Sequence, residues 1–596
     1  MLRTTLKNLL FGSAIVVSGV FATNNLTVEQ RVQDFEHFWQ SYKDAYVFFE
    51  LKHGDYGVDW DMIKGQFIER LKNSDSDLDL YAAVTEAQTL LRDGHCYNGS
   101  FAKIRETERI YFQRIGLTLV DGNKIAVTKV VDGSAFAEAG IQTGYELVKF
   151  DGKTIRQLAK EARKYNAASS ESQFWSIFSG QLYIHNPLKG KPSSPRAELV
   201  FRDLDGNLIT VKSRWNSADP TGPQNTNQGW IDDEQGVQLS EADQKRIDGP
   251  LPIEVRVFEK QNIGYVKIDS WMKTEDPIEQ FEDVFSAIKD TDGLVLDMRD
   301  NGGGVGPWGV LFSNYFIQKS TDKKKKGWIS KVADWFKGDK GEAAPTPDGA
   351  KAPNDTWFER KLSKVFFRAA FPQLDEPTLQ QIFTQPEMMQ LVLKKAFGME
   401  VSQEELQKYF KNGEFEAFYV NLSLNDRLNK IAPYTKPVYV LTNGGCYSTT
   451  DICMTILKDF GRIKLIGTPN GAGSGSPIPF VLPNSGLQVY VPHARAYPPH
   501  GTMIEGRPLQ VDTRVMQNID DLIKGKDTVL TEAVKQLTQE IMPMSTFASD
   551  EEVGEGELAF STIPEEEIEW GILKTPDWAI NATIEHIKRS NMELTK

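Results

Sequence analysis

Apolar residues between positions 28 and 92 recur at helical spacing. Val28, Val32, Phe35, Phe38 and Trp39 share one stripe, and Tyr81, Val84, Leu90 and Leu91 continue the pattern. This predicts a helical domain over 27–108, closing on the segment Leu91-Arg-Asp-Gly-His95. From residue 110 the period changes. Gly116 to Leu119 and Ile125 to Val127 alternate as strands do. Ser134 opens a short helix that Gly140 stops, and Leu147, Val148 and Phe150 form a strand before the Asp151-Gly152 turn. Two further strands, Glu198–Phe201 and Leu208–Val211, flank Asp205-Gly206-Asn207 as a hairpin. The prediction is a β domain over 110–215.

Residues 216–256 are polar throughout and read as a linker. Strand–helix–strand alternation then begins at Ile263–Ile268, the helix Ile278–Ile288 and the strand Gly293–Asp297. It resumes with the strand Pro437–Leu441, the helix Thr449–Phe460 and the strand Ile463–Gly467. Such alternation predicts an α/β core with a mostly parallel sheet, built from 257–318 and 432–540. An insertion over 319–431 separates the halves. It carries Lys323–Lys326, a Pro/Ala/Gly-rich stretch at 342–354 and helical residues to about 430. Trp328, Ile329, Val332, Trp335 and Phe336 fall on one helical face among lysines, so 323–337 reads either as a short helix packed on the core or as a mobile element that covers the active site or docks on an anionic membrane surface. Residues 541–596 read as an acidic segment that closes on a helical pattern at Trp578–Ile587.

Composition narrows the function. The net charge is −14 over 596 residues, which argues against nucleic-acid binding, since that needs a basic face. Arg3 and Lys7 precede the apolar stretch Leu9–Phe21, and Val20-Phe21-Ala22 suits a cut. This predicts a signal peptide over 1–22 and an exported, periplasmic or secreted, protein; an uncleaved anchor is the other reading. Three cysteines, Cys96, Cys446 and Cys453, leave at least one thiol unpaired within the chain. No zinc motif and no Walker lysine occur, so neither a metal nor another cofactor is expected.

Two glycine loops carry candidate chemistry. Ser448 follows Asn443-Gly444-Gly445-Cys446-Tyr447 and precedes a helix, where unpaired N–H groups and the helix dipole favour an oxyanion. The plainer reading is an N-cap serine. Cys446 is a second candidate nucleophile, argued against by its offset from the helix start. The other loop, Asp297-Met-Arg-Asp-Asn-Gly302-Gly303-Gly304, follows a strand directly and lets backbone approach a ligand closely.

The pair DMRDNGGG and VLTNGGCYSTTD resembles the C-terminal-processing (tail-specific) serine peptidase family in both loops, over 263–318 and 437–515. The 110–215 segment is similar to the PDZ domain expected before them, whose groove adds an extended peptide to a sheet edge. The resemblance implies a ClpP/crotonase-like core, Ser448 as nucleophile, and an oxyanion hole from the backbone N–H of Thr449 and of Gly303 or Gly304. Many members place a lysine about 25 residues after the serine. Here Gly471-Ala-Gly-Ser474 stands there, so the Ser–Lys pair is absent. The branch that includes tricorn protease and the chlamydial protease-like activity factor uses Ser, His and Glu. Leu91-Arg-Asp-Gly-His95 resembles its histidine segment and Ile504-Glu505-Gly-Arg-Pro its glutamate segment. The resemblance therefore implies His95 as general base and Glu505 as the third member. His500 is the second choice for the base, while Asp93 and Arg299 read as a turn residue and a loop-fixing ion pair. The expected partners are protein or peptide substrates, and an oligomer is compatible with the sequence. The competing class is a non-catalytic member of the same fold that binds peptides or apolar ligands.

Overall fold

The computed structural model describes residues 26–105, 110–218, 251–272, 277–317, 357–397, 401–423, 432–498 and 503–542. The expected signal peptide, the basic segment 323–337, the acidic end beyond 542, and His500 lie outside the described residues.

The helical segment forms four main helices, Val28–Ala45, Phe49–Tyr56, Trp60–Lys72 and Asp77–Leu90. Thr27 starts the first by a reciprocal cap with Gln30, and Ser76 starts the fourth with Asp79. Their apolar stripes meet around Phe35, Phe38, Tyr42, Tyr46, Phe48 and Trp60, all buried.

This core is not self-contained. It also takes Phe366, Phe367 and Phe383 from the insertion and Val489 and Val491 from the hairpin Pro477–Val481/Gln488–Pro492. The insertion was expected to be helical up to about 430. It instead begins and ends its described part with strands, Trp357–Ser363 and Ala417–Ser423, which pair antiparallel and extend onto Ala494–Tyr497. Ala494 and Ala496 face inward there while Arg495 and Tyr497 are half-buried, so the insertion is tied into the fold by a ladder as well as by apolar packing.

The α/β core is a six-stranded sheet in the order Thr513–Arg514, Lys464–Gly467, Val438–Thr442, Gly293–Asp297, Ile263–Ile268, Ile253–Phe258. All neighbours run parallel except the last strand, which pairs antiparallel with Val255 opposite Val266. The central strands GLVLD and VYVLT are buried along their whole length, because helices cover both faces. The helices Ile278–Ile288, Gly306–Ser313 and Thr449–Asp459 pack on one face and Thr528–Ile541 on the other. The edge strand Ile253–Phe258 corrects the linker: its alternating IEVRVF belongs to the sheet. The other end of the linker is corrected too, since Asn216–Ala218 pairs with Ile110–Phe112.

Between helical and α/β parts lies a five-stranded antiparallel path, Ile115–Val120, Lys124–Val130, Glu146–Phe150, Arg196–Arg202 and Leu208–Arg214, with helices Ile155–Ala162 and Glu171–Gln181 inserted. Among the described residues no helix is long and apolar enough to cross a membrane.

Candidate active site

The strand Val438–Thr442 delivers the chain to a turn that ends at Ser448, whose backbone sits at φ 60° and ψ −116°. A positive φ costs a non-glycine residue about 1–3 kcal/mol unless its surroundings impose it. They do so here. Asp451, fully buried one turn into the helix, accepts the Ser448 N–H at 3.0 Å, the Gly473 N–H at 2.7 Å and an Asn470 side-chain N–H at 2.6 Å. One carboxyl group thus ties the serine to the loop 470–473. Burial outweighs these donors and pushes the Asp451 carboxyl up to about 7.

Ser448 Oγ lies 3.0 Å from His95 Nε2, across 353 residues of sequence. His95 follows the fourth helix in a turn closed by Asp93, whose Oδ1 accepts the His95 N–H at 2.9 Å and whose Oδ2 accepts the Tyr46 hydroxyl at 3.0 Å. Asp93 is therefore the turn residue expected from the sequence, but it is also buried beside the ring, with 3.9 Å between its Oδ1 and Nδ1. The Tyr447 ring lies against the imidazole, centroids 4.5 Å apart. Burial pulls His95 down to about 4, against the opposing pull of Asp93. The Gly475 N–H donates to Nδ1 at 3.3 Å. In that arrangement the neutral ring carries its proton on Nε2 and donates it to Ser448 Oγ. A base at Nε2 requires the other tautomer, with Nδ1–H facing a carboxylate.

Glu505 supplies a second buried carboxylate. One ring nitrogen of His95 and one oxygen each of Asp93 and Glu505 lie within 4.8 Å of one another. Glu505 Oε1 is held by Lys52 Nζ at 2.7 Å, while Oε2 has no hydrogen-bond partner of ordinary geometry among the described residues. Burial and the Asp93 charge push Glu505 up to about 8, with Lys52 and Ser169 opposing. The three side chains could in principle converge on a cation. The ammonium already seated on Glu505 makes the group better suited to handling a proton than a divalent ion.

Of the two loop glycines, Gly303 has φ +106° and presses against the nucleophile. An added Cβ would lie 2.6 Å from Ser448 Cβ. Its N–H is engaged by Asn301 Oδ1 at 3.0 Å. Gly304 (φ +143°) fits against the Trp271–Met272 backbone, where a Cβ would lie 2.4 Å away, and its N–H has no backbone acceptor among the described residues. The Thr449 N–H heads the helix and has no intrahelical partner. Thr449 Oγ1 donates to the Gly304 carbonyl at 2.8 Å, which joins the two loops. Arg299 is the expected loop-fixing residue, paired with both Asp297 and Asp527.

Two participants escaped the sequence reading. Lys52 looks like a surface lysine in its helix. Ser169, in the segment entering Glu171–Gln181, accepts the Gly94 N–H at 3.0 Å and hydrogen-bonds the Tyr447 hydroxyl at 2.8 Å. No local pattern marks either one. All three cysteines are free and buried, and burial pushes the Cys446 thiol up to about 12, far from a reactive thiolate.

A serine on a strained turn at a helix head, hydrogen-bonded to a buried histidine in an α/β fold, is the arrangement a serine-hydrolase site needs. More particularly, residues 262–515 match the model of Peptidase family S41. It is 36% identical over 99 residues to a carboxy-terminal-processing protease of Bartonella bacilliformis (strain ATCC 35685 / KC583 / Herrer 020/F12,63), an alignment covering 16% of this chain and 22% of that protein. The chain thus spans about a fifth of the length of the curated relative it matches. Among solved structures, mature CPAF superposes with a TM-score of 0.55 at 15% identity, covering 88% of this chain and 99% of that one. Mature CPAF complexed with lactacystin gives 0.53 at 15% identity, covering 87% and 99%. At that identity the likeness speaks for the fold alone.

Proposed function

We propose that the chain is an exported serine endopeptidase that cleaves peptide bonds through an acyl-enzyme on Ser448. The observation that carries this reading is the 3.0 Å contact between His95 Nε2 and Ser448 Oγ at a strained helix head. In the reactive tautomer His95 takes the serine proton as Oγ attacks the scissile carbonyl. The proton then passes to the leaving amine, and a water repeats the sequence to release the acid. Asp93 and Glu505 stabilise the imidazolium, Glu505 across a distance that one water bridges. The Thr449 and Gly304 N–H groups are the donors best suited to the developing oxyanion, with Gly303 keeping its place by lacking a side chain.

The sheet of 115–214 is read as a PDZ-like peptide-binding domain that delivers an extended substrate, and the 1–22 segment as its export signal, leading to the periplasm or beyond the cell. Contact with an anionic membrane surface through 323–337 is a proposal of that sequence alone. One observation favours a second reading, a non-catalytic peptide binder: the Gly475 N–H on Nδ1 selects the tautomer that cannot act as base. A serine-reactive fluorophosphonate separates the two. The peptidase reading expects stoichiometric labelling that maps to Ser448 and disappears in Ser448→Ala. A folded wild-type chain that stays unlabelled at every pH from 6 to 9 overturns it.

A further inference from the structure

Lys52 lies in the helix Phe49–Tyr56 among Glu50, His53 and Asp55, a run that reads as a solvated face. Its own side chain is wholly enclosed, at 0% exposure. Burying an ammonium is expensive unless it is paired and hydrogen-bonded. Lys52 donates to the Arg92 carbonyl at 2.9 Å and to Glu505 Oε1 at 2.7 Å. It thereby joins the turn that carries His95 to the loop that carries Glu505. With Oε1 fixed in this way, Oε2 is the buried, unpartnered oxygen of that carboxylate.

The charges of the group explain why a cation belongs there. Asp93 and Glu505 are two carboxylates buried within 4.8 Å of His95 and of each other. Without a counter-charge such a pair retains a proton, because like charges at that range cannot both ionise. The other groups facing Glu505 do not supply one. Tyr46, Tyr447 and Cys96 are held neutral by burial, their hydroxyls and thiol pushed well above their ordinary range. Arg507, on the Glu505 loop itself, is half exposed and turned to Asp55 in a two-pronged pair. With Lys52 charged and both carboxylates ionised, the group carries one net negative charge when His95 is neutral. It becomes neutral when His95 accepts a proton.

We propose that Lys52 is a positioning residue for the reaction: it eases the ionisation of Glu505 and leaves its free oxygen available to His95, so that the imidazolium formed during attack meets an anion. The inference rests on the Ser448–His95 reading above and adds to it the residue that sets the charge of the third member. Burial already holds Glu505 high, near 8, and Lys52 is the cation opposing that rise.

The test is the rate of fluorophosphonate labelling of the full chain from pH 5 to 10, for wild type, Lys52→Met, Lys52→Arg, Glu505→Gln and the double variant K52M/E505Q, each with a thermal melt. K52M is expected to shift the rise in rate upward by about one pH unit or more, which makes labelling about tenfold slower at pH 7. K52R, which keeps the charge, is expected to restore the wild-type profile at least in part. If Lys52 acts through Glu505, K52M/E505Q is no slower than E505Q alone. That arm decides the matter even if the single K52M variant does not fold, because the double variant removes the Lys52–Glu505 pair together and leaves the net charge of the group as in the wild type. A K52M profile superimposable on wild type overturns the proposal. So does a uniform loss at all pH values with a lowered melt, or a double variant slower than E505Q by a further tenfold or so. A wild-type chain that does not label removes the peptidase reading, and this inference with it. Labelling in every variant with unchanged profiles removes this inference alone.

Discussion

Gly303 stands so close to Ser448 that a single added methyl group would lie 2.6 Å from the serine Cβ and 3.0 Å from the Thr449 nitrogen. The glycine also holds φ at +106°, where a side chain is strained whatever the space. Gly303→Ala is therefore expected to push apart the nucleophile and the head of its helix. Peptide hydrolysis should fall by about 100-fold or more, in line with misplacing a reacting group by about an ångström, while circular dichroism still reports a folded chain. Unchanged turnover in the folded variant would show that the loop does not define the site.

Ser448→Ala and His95→Ala should each reduce hydrolysis by something on the order of 10⁴–10⁶, and their combination should be scarcely worse than either alone, since the two act as one unit. Steady-state peptide cleavage by the three purified, folded variants decides this. Multiplying losses in the double variant would separate the two residues.

Asp451→Asn would present an amide N–H to a pocket that holds three donors, from Ser448, Asn470 and Gly473. A cost of about 1–3 kcal/mol in unfolding free energy follows from one orphaned buried group. The sign of the pH dependence follows from burial, which raises the folded carboxyl to about 7 from 3.8. A carboxyl raised in the folded state contributes most below its unfolded value, and that contribution is lost as pH rises towards 7. The wild type should therefore hold its largest stability advantage over Asp451→Asn near pH 4 and its smallest above pH 7. Urea unfolding at four or five pH values measures it. An advantage that grows with pH would contradict the buried, protonated carboxyl.

The pH dependence of Ser448 labelling should differ from that of an ordinary imidazole base. Burial places His95 near 4, so the ring is already neutral in mild acid, while Glu505 is held near 8. The rate should rise between pH 7 and 9, with a second loss only below about pH 5. Glu505→Gln should abolish the upper rise. A single limb near 6.5 in the wild type would mean that the ring titrates freely.

The parts of this molecule that were legible in the sequence are those whose cause is local. The buried runs GLVLD and VYVLT, each followed by a glycine turn, announce central parallel strands because a strand covered on both faces has no polar side to show. The alternating IEVRVF at 253–258 carries the same kind of signal, but it follows a long polar stretch and was absorbed into it. The strands Trp357–Ser363 and Ala417–Ser423 were missed for a different reason. They find each other across more than fifty residues, and their flanks do read as helices. At the site, Ser448 stands out by its turn and helix, whereas His95 and Glu505 were found through resemblance and have no local signature. Lys52 and Ser169 were invisible, since a lysine among charges and a serine before a helix look like surface and cap. That the Gly303 N–H is engaged by Asn301 could be learned only from coordinates.

The long path between His95 and Ser448 has a further consequence during biosynthesis. The His95 segment is seated by strands made much later: the Gly99 N–H donates to the Gln488 carbonyl at 2.8 Å, and the Tyr490 N–H to the Tyr97 carbonyl at 2.9 Å. Glu505 comes later still. A ribosome-bound chain that ends at residue 480 holds both serine and histidine but neither the staple that seats the histidine nor its acid. On the proposed mechanism, reactivity thus waits until the segment 488–505 has been made and seated.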